Sequence, residues 1–246
     1  MKRLLAIFFF VCGLNGFANE QVRFEEANKA YSEQQFDSAL EIYTQLIDEG
    51  WQSAAIYFNT ANCHYRLNSI GKAILYYEKA KLLAPEDEDI IANLKLAESQ
   101  KIDEFEVMPT PVFTRIFNSL LAVFSNSIWF IVGLILIFLG ATALTFFLVS
   151  KSKSTLRFGL YLTLGTIGLL FLFLGNIKLN QEENNTFGVL TIANAYVKSE
   201  PNIGEDLFIV HEGTKAHIEE TFSNWIKVRF PDGKTGWLLA ESFESI

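Results

Sequence analysis

Histidine, cysteine and proline are scarce in this chain of 246 residues, which has three, two and five of them. His211 and His217 stand six apart with no cysteine nearby, which does not fit tetrahedral zinc-site spacing. His64 falls inside a helical stretch, where a packing role is expected. No Gly-rich phosphate loop, no Ser or Cys beside a credible base and no nucleophile motif is found, so neither an enzyme nor a cofactor is expected. The acidic cluster Glu86-Asp87-Glu88-Asp89 lacks the spacing of a calcium loop and reads as a helix N-terminus, where acids complement the macrodipole. Basic charge is also short, with 20 Lys and Arg against 28 Asp and Glu. Residues 19–107 hold 17 acids and 8 bases, and residues 178–246 hold 11 and 6. Both flanks are acidic, which excludes the basic patches that nucleic acid or anionic headgroups call for.

Charge is missing altogether in two places. Between Arg115 and Lys151 no side chain ionises, and none does from Phe158 to Ile177. A hydrocarbon core needs about 20 apolar helical residues, so 128–149 and 158–177 are expected to cross a membrane as a hairpin. The link 150–157 carries Lys151, Lys153 and Arg157 without an acid. The bias of Lys and Arg toward cytoplasmic loops places it inside and both flanks outside. Met-Lys-Arg, an apolar stretch from Leu4 to Leu14 and Gly16-Phe17-Ala18 form a secretory signal over 1–18 with cleavage after Ala18. Phe9, Phe10 and Val11 stand where a lipobox before Cys12 would have small residues. Removing the signal leaves only Cys63, so no intramolecular disulfide is expected, and a lone Cys in a helix reads as a small buried hydrophobe.

From Phe24 to Pro85 the chain repeats itself with a period of 34. Phe24 matches Phe58, Ala27 Ala61, Asn28 Asn62, Tyr31 Tyr65, Phe36 Ile70, Ala39 Ala73, Leu40 Ile74 and Tyr43 Tyr77. That period is the tetratricopeptide signature. With Tyr57, Ala61, Ala73, Tyr77, Ala80 and Pro85 at the pattern positions, the segment resembles the tetratricopeptide (TPR) family. Small residues at Ala27, Ala39, Ala61, Ala73 and Ala80 let paired helices approach closely. Asp89 then starts a segment with Ile90, Ile91, Leu94 and Ala97, read as a capping helix because Lys95 replaces the expected small residue. Phe24, Asn28 and Tyr31, and likewise Phe58, Asn62 and Tyr65, share a helix face at i, i+4, i+7. The resemblance implies that this face, with Arg66 as its cation, lines a concave groove for a partner peptide; packing is the rival reading of the aromatics. Asn28 and Asn62 resemble asparagines with which TPR clamps hold a peptide, although Phe24 and Phe58 replace the clamp lysine.

Glu104 to Pro111 reads as an extended spacer. Phe113, Ile116, Phe117, Leu120, Leu121 and Phe124 then recur at helical spacing, giving an amphipathic helix expected in the headgroup plane. Beyond Asn185 the period shifts to short strands bounded by turn residues, with Pro231-Asp232-Gly233-Lys234 as a tight turn. The order Ala195-Tyr-Val-Lys, Pro201, His211-Glu-Gly-Thr, Trp225-Ile-Lys-Val and Asp232-Gly-Lys-Thr-Gly-Trp237 resembles the bacterial Src-homology-3-like family. Large aromatics dominate small cores, so Trp225 and Trp237 are weighed toward the core, with Tyr196, Trp225 and Trp237 as candidate groove residues.

The fold expected is therefore a multidomain membrane protein. It has an all-α TPR solenoid over 20–105, a linker with an interfacial helix over 106–127, a two-helix transmembrane hairpin and a small all-β Src-homology-3-like barrel over 186–246. In this order the parts resemble the BatE family of the Bacteroidetes-type aerotolerance (Bat) operons. The resemblance implies a non-enzymatic inner-membrane scaffold with its TPR and C-terminal parts in the periplasm. Its partners would be other Bat-operon membrane proteins, some bearing von Willebrand factor A domains, alongside a MoxR-type ATPase, in a system linked to oxidative or envelope stress. The alternative is a protein that binds or senses peptidoglycan through the C-terminal barrel.

Overall fold

The computed structural model describes residues 20–106, 108–149, 154–184 and 186–246; the expected signal over 1–18 and residues 150–153, with Lys151 and Lys153, lie outside them. The chain divides into two compact units. One combines the chain up to residue 107 with Thr186–Ile246, and the other is Met108–Asn185.

The first unit opens with a helical array: α1 (residues 20–32), α2 (Phe36–Asp48), α3 (Ala54–Arg66), α4 (Ile70–Leu83) and α5 (Glu88–Glu98). The 34-residue offset is visible in the backbone. α1 and α3 end on left-handed residues 34 apart, Gln34 (φ 63) and Asn68 (φ 59). Each ending closes with the same pair of bonds, from Gln35 N–H to Ala30 O and Gln34 N–H to Tyr31 O, and from Ser69 N–H to His64 O and Asn68 N–H to Tyr65 O. Such six-to-one closures satisfy carbonyls that a helix end leaves unpaired. Ala27, Ala39, Ala61, Ala73 and Ala80 are all fully buried, so the helices meet with no more than a methyl group between them at these positions. α5 begins on Asp87, whose carboxylate accepts from the Asp89 and Ile90 amides at 3.0 and 3.2 Å. Its Ile90, Leu94 and Ala97 are buried.

The C-terminal part is a seven-stranded antiparallel sheet. Its strands are β1 (Phe187–Leu190), β2 (Asn194–Lys198), β3 (Asp206–His211), β4 (Lys215–Phe222), β5 (Trp225–Arg229), β6 (Thr235–Leu239) and β7 (Phe243–Ser245), in the order β3-β2-β6-β5-β4-β1-β7. Period-two alternation puts Val197, Val210, Ile226, Val228 and Leu238 into one core with Leu190, Phe230 and Phe243. The β5–β6 turn is closed by Gly233 N–H to Phe230 O and by Asp232 Oδ1 accepting from the Lys234 amide, with Gly233 at φ +85.

Sequence reading treats array and barrel as separate domains, whereas the structure makes them one body. Val189 of β1 lies in the same buried cluster as Ile74, Tyr77 and Leu94, with Ile246 packed against it. The approach is close because Gly71 opens α4. A Cβ there would stand 2.6 Å from Leu190 O, and the Gly71 amide donates to Glu212 at 3.0 Å. Glu78, buried in α4, pairs with Lys215 at 2.8 Å. The segment read as an extended spacer also differs at its start. Phe105 stacks on Phe230 at 5.5 Å and joins the sheet core. Apolar contact with a ring 125 residues away outweighs the local tendency of this stretch to remain a free linker.

The second unit holds α6 (Val112–Ala122), α7 (Asn126–Val149) and α8 (Thr155–Asn184). α7 and the stretch Thr155–Glu182 are long and apolar enough to cross a membrane. At about 1.5 Å per residue both exceed the roughly 30 Å of a hydrocarbon core. α8 continues through Lys178 and Glu182 beyond the charge-free run, because their i, i+4 pair at 3.8 Å suits a helix. The two long helices form an antiparallel pair along a glycine seam in which Gly133 meets Gly168 and Gly140 meets Gly165.

Candidate functional site

The array brings the residues expected on its first helices onto neighbouring elements and ties several of them down. The Tyr43 hydroxyl donates to Asn28 Oδ1 at 2.6 Å, and one repeat later Tyr77 donates to Asn62 Oδ1 at 2.5 Å. Burial pushes both phenols far up, so they remain donors. Asn59 Nδ2 adds a second bond to Asn28 at 2.9 Å and links α3 to α1. The asparagines therefore have a structural task that the sequence reading did not assign. Their carbonyl oxygens are occupied within each repeat, and what either could offer a peptide is its amide donor. The aromatics follow the same period, with Phe24 edge-on to Tyr43 and Phe58 tilted against Tyr77.

Tyr31 and Arg66 stay together at the open end of α1 and α3. With Ser32, Gln34 and Phe36 they line a cleft of about 350 Å³. Arg66 lies 5.9 Å from the centre of the Phe36 ring, and its hydrogen bond to Tyr31 pushes its already high pKa further up. Tyr65 accepts from Gln100 Nε2 at 2.5 Å, which links α3 to the end of α5. Phe24 instead lines a separate, mostly apolar cleft of about 390 Å³ with Leu46, Trp51 and Ile56. The hydrogen bonds and the ion pair that hold the sheet to the array fall on α4 and on Asp103. None of the expected site residues of α1 and α3 makes one of these, although Phe58 and Tyr65 pack on the apolar cluster that takes in Val189.

On the sheet, Tyr196, Trp225 and Trp237 share one face. Trp237 is the register partner of both Lys198 and Lys227, Lys227 lies two residues from Trp225, and Lys198 lies two from Tyr196. All five therefore point away from the core-facing Val197, Ile226, Val228 and Leu238. This corrects the weighting of Trp225 and Trp237 toward the core. Trp225 donates to Asn202 Oδ1 at 3.2 Å, and Tyr196 is exposed.

A third cluster is centred on Asp103, which no sequence pattern singles out. Asp103 accepts from the His211 amide at 2.6 Å and from Thr214 Oγ1 at 2.7 Å, and its other oxygen lies 2.8 Å from His211 Nδ1. Burial works to raise this carboxyl, but the bonds from His211 and Thr214 together outweigh it and hold it below the usual carboxylate range. A single acid just past the last helix of an array carries no local signal of this role. Beside it, Phe105, Phe187, Lys215, His217 and Arg229 line a cleft of about 650 Å³. Among the described residues, no group of three or more His, Cys, Asp or Glu could hold a metal ion.

Cys63 is buried and its thiol is pushed up to about 12 by desolvation, which leaves it inert near neutrality. His64 is 8 % exposed and stacks on Tyr76 at 5.4 Å. Burial first, then Lys72, lowers its pKa to about 4. The unfolded chain would protonate this ring near 6.5 and the folded one only near 4, so stability is lost as the pH falls through that window. The loss attributable to His64 should reach about 3 kcal/mol at the acid end. Thermal unfolding followed between pH 7 and 4 checks this: His64→Gln should flatten the acid slope, and an unchanged slope would exclude the ring as its source.

No protein-family model matches this chain, and no curated protein is significantly similar to it.

Proposed function

We propose that the protein is a non-enzymatic, membrane-anchored scaffold whose helical array is of the TPR type and captures a segment of a partner protein on the α1–α3 face. The observation that carries this reading is the division of the array's surfaces. The polar contacts that fasten the sheet fall on α4 and on Asp103, while the cleft with Tyr31, Phe36 and Arg66 is left uncovered. A two-helix repeat exposes such a face because neighbouring repeats bury only the flanks of each helix pair. Arg66 supplies a guanidinium suited to an acidic or carbonyl-bearing segment.

Both ends of the apolar hairpin connect to the same compact unit. That unit lies on one side of the bilayer and the hairpin crosses twice. With Lys151, Lys153 and Arg157 in the short link, the positive-inside bias puts the link in the cytoplasm and the folded unit in the periplasm, anchored in the inner membrane. The finer reading is a Bat-type envelope-stress assembly, with other membrane proteins of that system as partners. A second reading is peptidoglycan binding by the sheet as a bacterial Src-homology-3-like barrel. Its support is the row of Tyr196, Trp225 and Trp237 on the outward face, since exposed aromatics give a stacking surface for a ligand.

Photocrosslinking of the full-length protein in intact cells tests both readings. A benzophenone side chain placed at Arg66 should give discrete protein adducts that are absent when it is placed at the exposed Leu82 of α4. No adduct at Arg66, or equal adducts at both positions, would end the scaffold reading. Adducts to muropeptides from a probe at Tyr196 would favour the second.

A further inference from the structure

α6 has three sides, and only one of them is covered by protein. Phe117 and Leu121, one turn apart, face the long helices, and Leu121 is buried. Thr114, Arg115, Asn118 and Ser119 form a continuous polar side. The third side is apolar and open: Phe113 is 83 % exposed and Ile116 64 %, with Val112 and Leu120 beside them. A water-facing helix would not present such a surface.

The C-terminal end of α6 shows what surrounds it. The last carbonyls of a helix lack intrahelical partners and in water are simply hydrated. Here Leu121 O of the last turn and Phe124 O of the corner that follows take donors from the two long helices. Trp129 Nε1 of α7 donates to Leu121 O at 3.2 Å, and Lys178 Nζ of α8 donates to Phe124 O at 2.7 Å. The Lys178 side chain is only 17 % exposed. Phe124 closes the corner edge-on to Trp129, and Trp129 packs on Phe171 at 4.9 Å. The bond to Leu121 O is buried, and bonding of this kind is what hydrocarbon imposes on backbone groups that water cannot reach. Between Ala122 and Asn126 there is only a three-residue corner, so the open apolar side of α6 is continuous with the lipid-facing surface of the spans.

We infer that the face formed by Val112, Phe113, Ile116 and Leu120 docks on the bilayer itself, at the boundary between headgroups and acyl chains, as a fixed third member of the hairpin. Its occupant is lipid rather than protein, because the surface it prolongs is that of two spans and no described residue covers it. The inference is independent of partner capture by the array and requires only that α7 and α8 are inserted.

Nitroxide scanning of the full-length protein in phosphatidylethanolamine–phosphatidylglycerol vesicles tests it. Single cysteines are placed at Phe113, Ile116, Leu120, Thr114 and Asn118, all exposed and so tolerant of a label. Cys12 is replaced by Ser, and the buried Cys63 stays unreactive. The ratio of oxygen to water-soluble nickel accessibility should rise and fall with the helical turn, highest at Phe113, Ile116 and Leu120 and lowest at Thr114 and Asn118. Nickel access at all five positions would overturn the inference by placing α6 in water. Shielding of Phe113, Ile116 and Leu120 from both reagents would overturn it by showing a protein cover, and dipolar broadening of those spectra would identify that cover as a second copy.

Discussion

Asp103→Ala should loosen the sheet from the helical array and cost about 3–5 kcal/mol. The carboxylate satisfies three groups at once, and Thr214, one of them, is 2 % exposed. Each buried donor left without a partner costs about 1–3 kcal/mol, and water can reach only part of this cluster. For a chain of this size the loss corresponds to a fall in melting temperature of roughly 10 °C. Hydrogen exchange at the His211 amide should accelerate more than at Val228, which lies in the sheet core away from the cluster. Asp103→Asn keeps two acceptor positions and should lose less. Because the carboxyl is held below its ordinary value, its contribution is present above about pH 4 and fades as the pH falls through its folded pKa. The gap between the parent protein and Asp103→Ala should therefore narrow in acid. An unchanged melting temperature in Asp103→Ala would show that the clasp contributes nothing.

The clasp also marks where sequence reading reaches its limit. The repeat is legible because it is written twice: Ala39 and Ala73, Tyr43 and Tyr77, and Asn28 and Asn62 each recur at one offset. The charge-free runs are equally plain, since a bilayer requires their length and composition. Phe105 reads as part of a spacer and Asp103 carries no reading at all, because their partners, His211, Thr214 and Phe230, lie more than 100 residues away and no local pattern couples them. The bonds that Tyr43 and Tyr77 make to Asn28 and Asn62 are hidden for a similar reason, as the tyrosines are on another helix. The two tryptophans are a different case. Trp225-Ile-Lys-Val-Arg-Phe sets Trp, Lys and Arg on one side of a strand and Ile, Val and Phe on the other. That alternation already points Trp225 outward; ranking side chains by size obscured it.

In the second unit, Gly168→Leu should separate the hairpin, whereas Gly159→Leu should not. A Cβ at Gly168 would stand 2.8 Å from Gly133 O and 2.9 Å from Ile137 N. Both are backbone atoms of α7, so no side chain can rotate away and the helices themselves must part. Overpacking costs about 1–3 kcal/mol even when neighbours can adjust, so a leucine against backbone should cost about 3 kcal/mol or more. Packing of Trp129 on Phe171 and the bond from Lys178 to Phe124 would weaken together, since both require the same helix spacing. Around Gly159 nothing lies within 4 Å, and a leucine there should simply join the lipid-facing surface. Unfolding of the reconstituted protein by increasing SDS, followed by loss of helical signal, should shift to lower detergent for Gly168→Leu alone. Equal shifts for both variants would mean that the seam is not what holds α7 to α8, and that hydrophobic length by itself accounts for the pair.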